Sequence, residues 1–585
     1  MTEPSTPRAG ARSKSGWWVA ALVAFCVAAG GLATGFCWRY GEHRNSPVTQ
    51  SEEQVGQSFA QWPKDARPDA VVVLSGQTFG FLQPCGCSRP QKGGLERRAN
   101  FIAGLKAKGW PVVAVDLGDL YPAKVIVPEQ SLLKYQTAMH ALREMGYVGV
   151  GLGKTEFGAG TLNILAEYAL QKEQRPFVLA GNLMGKADGK LIPREQFFPP
   201  PPGGTRPLIG LTEVAEVGAV PVGFAGVVGK AVADDGRKAD QLLDFAEPRQ
   251  VIKQAATTLA ASTKKPLINV LLFQDSSENA RAVAKERPEF QVILCQADDP
   301  EPPQFPEVID HPGGGKTLVV QVGHKGQHVG VVGAFKKPDG GFDLKYQLVM
   351  LGEEYITPDD PAAEKANVVL PLLEEYARQV KDRNLLAKVT QIPHPAQIQA
   401  PKLNLTYVGS EKCVACHAGE AAKWKDTAHS HALDALEKIA RRPALRNFDA
   451  ECVVCHTVGL GYKTGYENAE KTPYLKHVGC ESCHGPGSGH VSAPNNLELL
   501  KLLSPWKQEK TDKLPDVATM EKVAKLSPIE RGSVPIPPTQ QRVLNAVTSA
   551  CMKCHDGEND PHFDLFTYWP KVNHTGLANA GPPKK

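Results

Sequence analysis

Four stretches decide how this chain is read: Cys413-Val-Ala-Cys416-His417, Cys452-Val-Val-Cys455-His456, Cys480-Glu-Ser-Cys483-His484 and Cys551-Met-Lys-Cys554-His555. Each is C-x-x-C-H, the attachment pattern for c-type haem. Two thiols bind the two vinyl groups of one porphyrin, and the next residue sets an imidazole on the iron. Zinc ribbons and ordinary disulfides are the competing readings. Neither explains a histidine after the second cysteine in all four copies. The pattern predicts four haem c groups, with proximal ligands His417, His456, His484 and His555.

Working outward, 585 residues imply two or three domains. The composition is globular, 42% hydrophobic and 22% charged with net charge +4, which argues against a nucleic-acid partner or a strongly acidic substrate. The haem motifs use eight of 13 cysteines, leaving Cys26, Cys37, Cys85, Cys87 and Cys295. Covalent haem attachment implies export. Arg8, Arg12 and Lys14 precede an uncharged run of 23 residues, Gly16 to Trp38. That length suffices for a helix across a hydrocarbon core of about 30 Å, with Trp17, Trp18 and Trp38 at its interfaces. The expectation is a cytoplasmic N-terminus (1–15), a single transmembrane anchor (16–38) in the inner membrane and a polar tether (39–67). The bulk of the chain would then lie on the periplasmic side. A cleaved signal peptide is the alternative.

From Asp69 the pattern becomes α/β. Ala70 to Leu74, Pro111 to Asp116 and Tyr147 to Val150 read as strands. Gly94 to Lys108 and Leu132 to Met145 read as helices. Further strands are expected at 267–273, 291–295 and 318–322. Alternating units of this length predict a largely parallel sheet covered by helices.

Residues 68–350 resemble the 5′-nucleotidase branch of the calcineurin-like metallophosphoesterases. The resemblance rests on Gly80-Phe-Leu-Gln-Pro-Cys85-Gly-Cys87, Gly93-Gly-Leu-Glu-Arg-Arg98, Asp116-Leu-Gly-Asp119, Gly151-Leu-Gly-Lys-Thr-Glu-Phe157 and Leu179-Ala-Gly-Asn-Leu183. It implies a sandwich-type α/β fold and a dinuclear metal centre. The ligand positions depart from that pattern. Gln77 and Phe79 stand where the family has Asp and His, and Lys154-Thr155 where it has Asn-His. No histidine lies near Gln274 or Gln296, and Asp119 alone survives. The expectation is a scaffold without its metal chemistry, in which His324 and His328 are structural. Cys85-Gly86-Cys87 reads as a structural disulfide element, possible partner Cys295, or as a soft-metal or redox pair.

Residues 351–405, charged and helical and then proline-rich, read as a linker. Residues 406–580 would form a mainly helical, irregular domain whose core is largely porphyrin, since 407–574 is short for four haems. This part resembles the cytochrome c-554-like multihaem family. The resemblance rests on Tyr407-Val-Gly-Ser-Glu-Lys-Cys413, Thr427-Ala-His-Ser-His-Ala432, Val478-Gly-Cys-Glu-Ser-Cys-His-Gly-Pro-Gly-Ser-Gly-His490 and Tyr568-Trp-Pro-Lys-Val-Asn-His574. By position in these strings it implies His429, His431, His490 and His574 as distal ligands. His429 and His431 would diverge by about 200° on a helix and serve two haems. His477 and His562 would be surface or supporting residues.

The expected protein is a membrane-anchored, exported tetrahaem cytochrome exchanging electrons with donor and acceptor proteins. Its rivals are an oxidoreductase with one open haem acting on a small nitrogen or sulfur compound, and an active phosphoester hydrolase fused to a cytochrome.

Overall fold

Alternation sets the first strand between two cores. Ala70, Val72 and Leu74 of β1 (Ala70–Ser75) face one hydrophobic cluster, and Val71 and Val73 face another, as the two-residue period of a strand requires. The computed structural model describes residues 59–574 except 64–66, 85–89, 162, 166–174, 202, 339, 441, 508, 510, 558 and 561–562. The expected anchor at 16–38, together with Cys85, Cys87 and His562, lies outside the described residues. Among the described residues no helix is long and apolar enough to cross a membrane.

Two sheets lie face to face. In spatial order the first is β16 (Phe342–Met350), β15 (His328–Lys336), β1, β2 (Val112–Asp116), β3 (Tyr147–Gly151), β4 (Phe177–Leu179) and β7 (Ile209–Gly210). The second is β13 (Glu307–Asp310), β14 (Lys316–Val320), β12 (Val292–Cys295), β11 (Ile268–Gln274), β9 (Val220–Val228) and β8 (Thr212–Val217). A small third sheet joins β10 (Leu243–Phe245), β5 (Leu183–Ala187) and β6 (Lys190–Ile192). Val72, Leu74, Val113 and Val115 meet Val222, Phe224, Val270 and Leu272 between the two large sheets. Helices α1 (Leu95–Ala107) and α2 (Pro128–Met145) cover the outer face of the first, and the helix Pro248–Ala260 that of the second.

The two facing sheets fit the expected α/β sandwich, and the largely parallel pairing expected above is refined by antiparallel margins. β1 pairs antiparallel with β15, β15 with β16, and β8 with β9. The missing signal has a physical cause. β9 is buried along nearly its whole length, so it carries no alternation to read. Gly330 and Gly333 break the pattern of β15, the latter to seat the Trp62 ring beneath it.

Residues 351–405 are fastened on both sides instead of hanging as a tether. In α3 (Leu370–Asp382), Leu373, Tyr376 and Val380 share one continuous core with Leu133 and Leu142 of α2. Ala450 and Val453 of α4 (Ala450–His456), the helix of the second haem motif, belong to the same core. Ile392 N–H donates to the Gly461 carbonyl at 2.9 Å, locking the proline-rich stretch to the C-terminal region. Beyond Met350 the described residues form short helices and turns with two isolated bridges, Ile392–Tyr462 and Thr457–Lys476.

A core shared in this way couples the two regions. Leu373→Ala should lose about 2–5 kcal/mol. In urea titrations, tryptophan fluorescence and haem absorbance should move to lower midpoints together; a shift confined to one probe would contradict the coupling.

Candidate haem-binding site

A helical turn puts cysteines three residues apart on one face, and each motif sits on such a turn. The helices or their ends are Glu411–Val414, α4, Cys480–His484 and Pro538–Cys551. Asp449 caps α4, its carboxylate accepting from the Glu451 N–H at 2.9 Å. Cysteines of different motifs lie close together: Cys413 beside Cys480, Cys455 beside Cys554, and Cys483 near Cys551 and Cys554.

The proximal imidazoles are oriented through Nδ1. His456 Nδ1 lies 2.6 Å from the Ala432 carbonyl, His484 Nδ1 2.7 Å from that of Leu503, and His555 Nδ1 2.7 Å from Asp560 Oδ2. Such contacts fix the tautomer and leave Nε2 available to a metal. Burial holds His429, His456, His484 and His490 below the ordinary imidazole value, favouring the neutral, ligating form.

An ion held by two imidazole nitrogens at about 2 Å each sets the ring centres about 6 Å apart. His417 and His490 stand 6.1 Å apart, His555 and His429 6.0 Å, and His484 and His574 6.2 Å. Each pair joins one motif histidine to one expected distal candidate. His490 Nδ1 is buried without a hydrogen-bond partner. These residues fit the haem irons that the motifs imply.

His431, the fourth distal candidate, stands apart from the motif histidines. Its ring faces His477 at 6.4 Å, and its side chain is 69% exposed, 3.8 Å from Asp434. Ala428–His431 is a 3₁₀ turn, not an α-helix. At about 120° per residue, His429 and His431 diverge by about 120° on this turn. Among the described residues no imidazole stands across from His456.

Glu481, inside the third motif, was missed from the sequence. It is 3% exposed, and its carboxylate accepts from Val408 N–H (3.0 Å), Gly409 N–H (2.7 Å) and Gly487 N–H (2.7 Å). It thereby ties the extended stretch entering the first motif to the third motif and to the short helix that carries His490. An acid between two haem cysteines, where exposure is the norm for Glu, was the available signal.

At the strand ends of the α/β region, the polar groups are occupied by the protein itself. Asp119, buried, accepts from Thr155 N–H (3.0 Å) and Oγ1 (3.2 Å). Glu156 accepts four backbone N–H groups, from Asp119, Leu120, Tyr121 and Gly153. Burial, together with the charge of Asp119, nevertheless raises it to about 7. Gln274 Nε2 donates to the Leu117 carbonyl (2.6 Å), Gln296 Nε2 donates to Gln274 Oε1 (3.1 Å), and Gln77 Oε1 accepts from Ala297 N–H (2.7 Å). Lys154 turns outward to Asp235 at 2.8 Å. Asn182 bridges Val228 and Ala246. Among the described residues no group of three or more His, Cys, Asp or Glu is arranged to hold a metal ion. Cys295 is a buried free thiol, pushed up to about 12 by burial.

Residues 412–485 match the family described as cytochrome c554 and c-prime. Cytochrome c-554 of Nitrosomonas europaea is 41% identical over 91 residues, 14% of this chain. The chain spans only 39% of that relative's length. The structure of that cytochrome in its reduced state matches 31% of this chain and 74% of its own, at 23% identity and a TM-score of 0.17. The N-terminal region is similar to the 5′-nucleotidase precursor of Thermus thermophilus, at 20% identity and a TM-score of 0.42. That match covers 55% of this chain and 60% of the other.

Glu481→Ala strands three N–H donors at about 1 kcal/mol or more each. The holoprotein should lose about 3 kcal/mol in denaturant titration followed at the haem band; an unchanged midpoint would show that water replaces the carboxylate.

Proposed function

We propose that this chain is a tetrahaem c-type cytochrome that transfers electrons outside the cytoplasm. It is anchored by the apolar run Gly16–Trp38 and carries an α/β domain that has lost its metal centre. The carrying observation is the three imidazole pairs at 6.0–6.2 Å, each with one member in a C-x-x-C-H motif. Cys413/Cys416, Cys452/Cys455, Cys480/Cys483 and Cys551/Cys554 would hold four haems, with His417, His456, His484 and His555 proximal. Haem c supplies reversible one-electron chemistry when bound. The chain's part is to place the imidazoles that would hold each iron, with burial favouring the neutral form of His429, His456, His484 and His490, and to bring the four motifs together. His490, His429 and His574 complete three of the sites. The partners are redox donor and acceptor proteins. Metal loss in the α/β domain is supported by Gln77, Lys154, Gln274 and Gln296 at ligand positions and by the internal hydrogen bonds of Asp119 and Glu156.

A second reading follows from His456, which has no imidazole opposite it among the described residues. The haem of Cys452 and Cys455 would then have a position open to a small nitrogen or sulfur compound.

Replacing His429, His490 or His574 by Ala should each convert one low-spin ferric haem to high-spin and leave the others unchanged. Ala at His431 should convert none. A low-spin spectrum untouched by the first three would overturn the ligand set. The holoprotein with added manganese should not hydrolyse nitrophenyl phosphate; metal-dependent turnover would restore the hydrolase.

A further inference from the structure

Contacts from α2 and from residues 359–381 to the haem-bearing region gather on one short segment, 442–451, which leads into the second motif. Arg442 pairs with Asp359 (2.7 Å) and Glu364 (3.4 Å). Ala444 N–H donates to Glu374 at 3.2 Å, and the Lys381 ammonium lies 5.2 Å from the Phe448 ring centre. Gln130 of α2 donates to Asp449 Oδ1 at 2.7 Å, and the Tyr376 hydroxyl of α3 donates to Asp449 Oδ2 at 3.0 Å. Lys134 of α2 pairs with Glu451, the residue before Cys452. Gln130 and Tyr376 are fully buried, and the Lys134 side chain is only 10% exposed. Charge–dipole and ion-pair contacts in such a place are weakly screened.

Two consequences follow from the positions alone. Asp449 is the cap of α4, so Gln130 and Tyr376 fix the start of the helix that presents Cys452, Cys455 and His456. Lys134 offsets the negative charge of Asp449 and Glu451 beside Cys452. We infer that the α/β domain, together with the adjoining helix α3, acts as a positioning module for one haem, the one attached at Cys452 and Cys455: Gln130 and Tyr376 orient its attachment helix, and Lys134 sets its potential. This deepens the function proposed above and rests on it, by giving the phosphoesterase-like scaffold a task that needs no metal. It also seats that task at the haem whose His456 has no opposing imidazole among the described residues.

The sign is determined. Removing the ammonium leaves two carboxylates near the haem, and negative charge favours the ferric state. In the full-length holoprotein, Lys134→Met should lower the potential of one haem of four. A threefold to tenfold change in its ferric-to-ferrous ratio at fixed potential corresponds to about 30–59 mV for one electron. Tyr376→Phe, a conservative change, should shift the same haem in the same direction by less. Adding Glu451→Gln to Lys134→Met should bring the potential back toward the parent value, a reversal that loss of packing cannot produce. The measurement is a redox titration followed optically and by EPR, with haem content quantified in every variant. Four reducible haems whose potentials stay unchanged, or all shift alike, would overturn this inference alone. Fewer than four haems in the unsubstituted protein would instead remove the cytochrome reading beneath it. Should Lys134→Met not fold, Tyr376→Phe and Glu451→Gln carry the test: they must move one haem in opposite directions.

Discussion

Two imidazoles that share one iron must stand about 6 Å apart with their nitrogens facing. In the function proposed here, that constraint organises the C-terminal third of this molecule. His417 meets His490, His429 meets His555, and His484 meets His574, so each link spans a long stretch of chain and the three interlock. Residues such as Leu433, Val453, Val458 and Leu475 join the core shared with the α/β region, whereas beyond the third motif the polypeptide offers only a small apolar cluster of Met520, Val543, Leu544, Val547 and Leu565. Fixed hydrogen bonds supply the remaining order. Glu481 gathers three backbone donors, and the proximal rings are tied through Nδ1 to Ala432, Leu503 and Asp560.

The α/β region obeys a different constraint, burial on both faces of two sheets. At its converging strand ends, amides and backbone groups satisfy one another. A carboxylate that already accepts four N–H bonds, as Glu156 does, has little left for a cation. What the scaffold does present is an outer layer, α2 and α3, fitted to the helix of the second haem motif through a common apolar core and a buried polar seam. The two regions therefore behave as one body along Tyr376, Asp449, Lys134 and Glu451, with residues 351–405 wedged between them.

Much of this was legible in the chain itself, for reasons that differ by element. The haem motifs are local covalent patterns, so their spacing is a chemical requirement and reads directly. β1, β2 and β3 were legible because short apolar runs are separated by helix-length segments. β9 and the β15–β16 hairpin were not, since a strand buried on both faces shows no alternation and glycines at close approaches erase the rest. Family-like strings singled out His429, His490 and His574, each of which stands about 6 Å from a motif histidine. The surroundings of His431 were not legible, because its neighbour His477 comes from a distant part of the chain. Gln130, Lys134 and Tyr376 looked like ordinary helix residues; only the tertiary fold brings them to Asp449 and Glu451.

The most direct test of the central claim is low-temperature EPR of the oxidised, full-length protein with its haem content quantified. The account predicts four haems per chain, three low-spin from the histidine pairs and one high-spin at His456. Fewer than four haems, or two or more high-spin signals, would contradict the pairing of His417, His484 and His555. Four low-spin signals would show that His456 gains a sixth ligand and would close the open-haem reading.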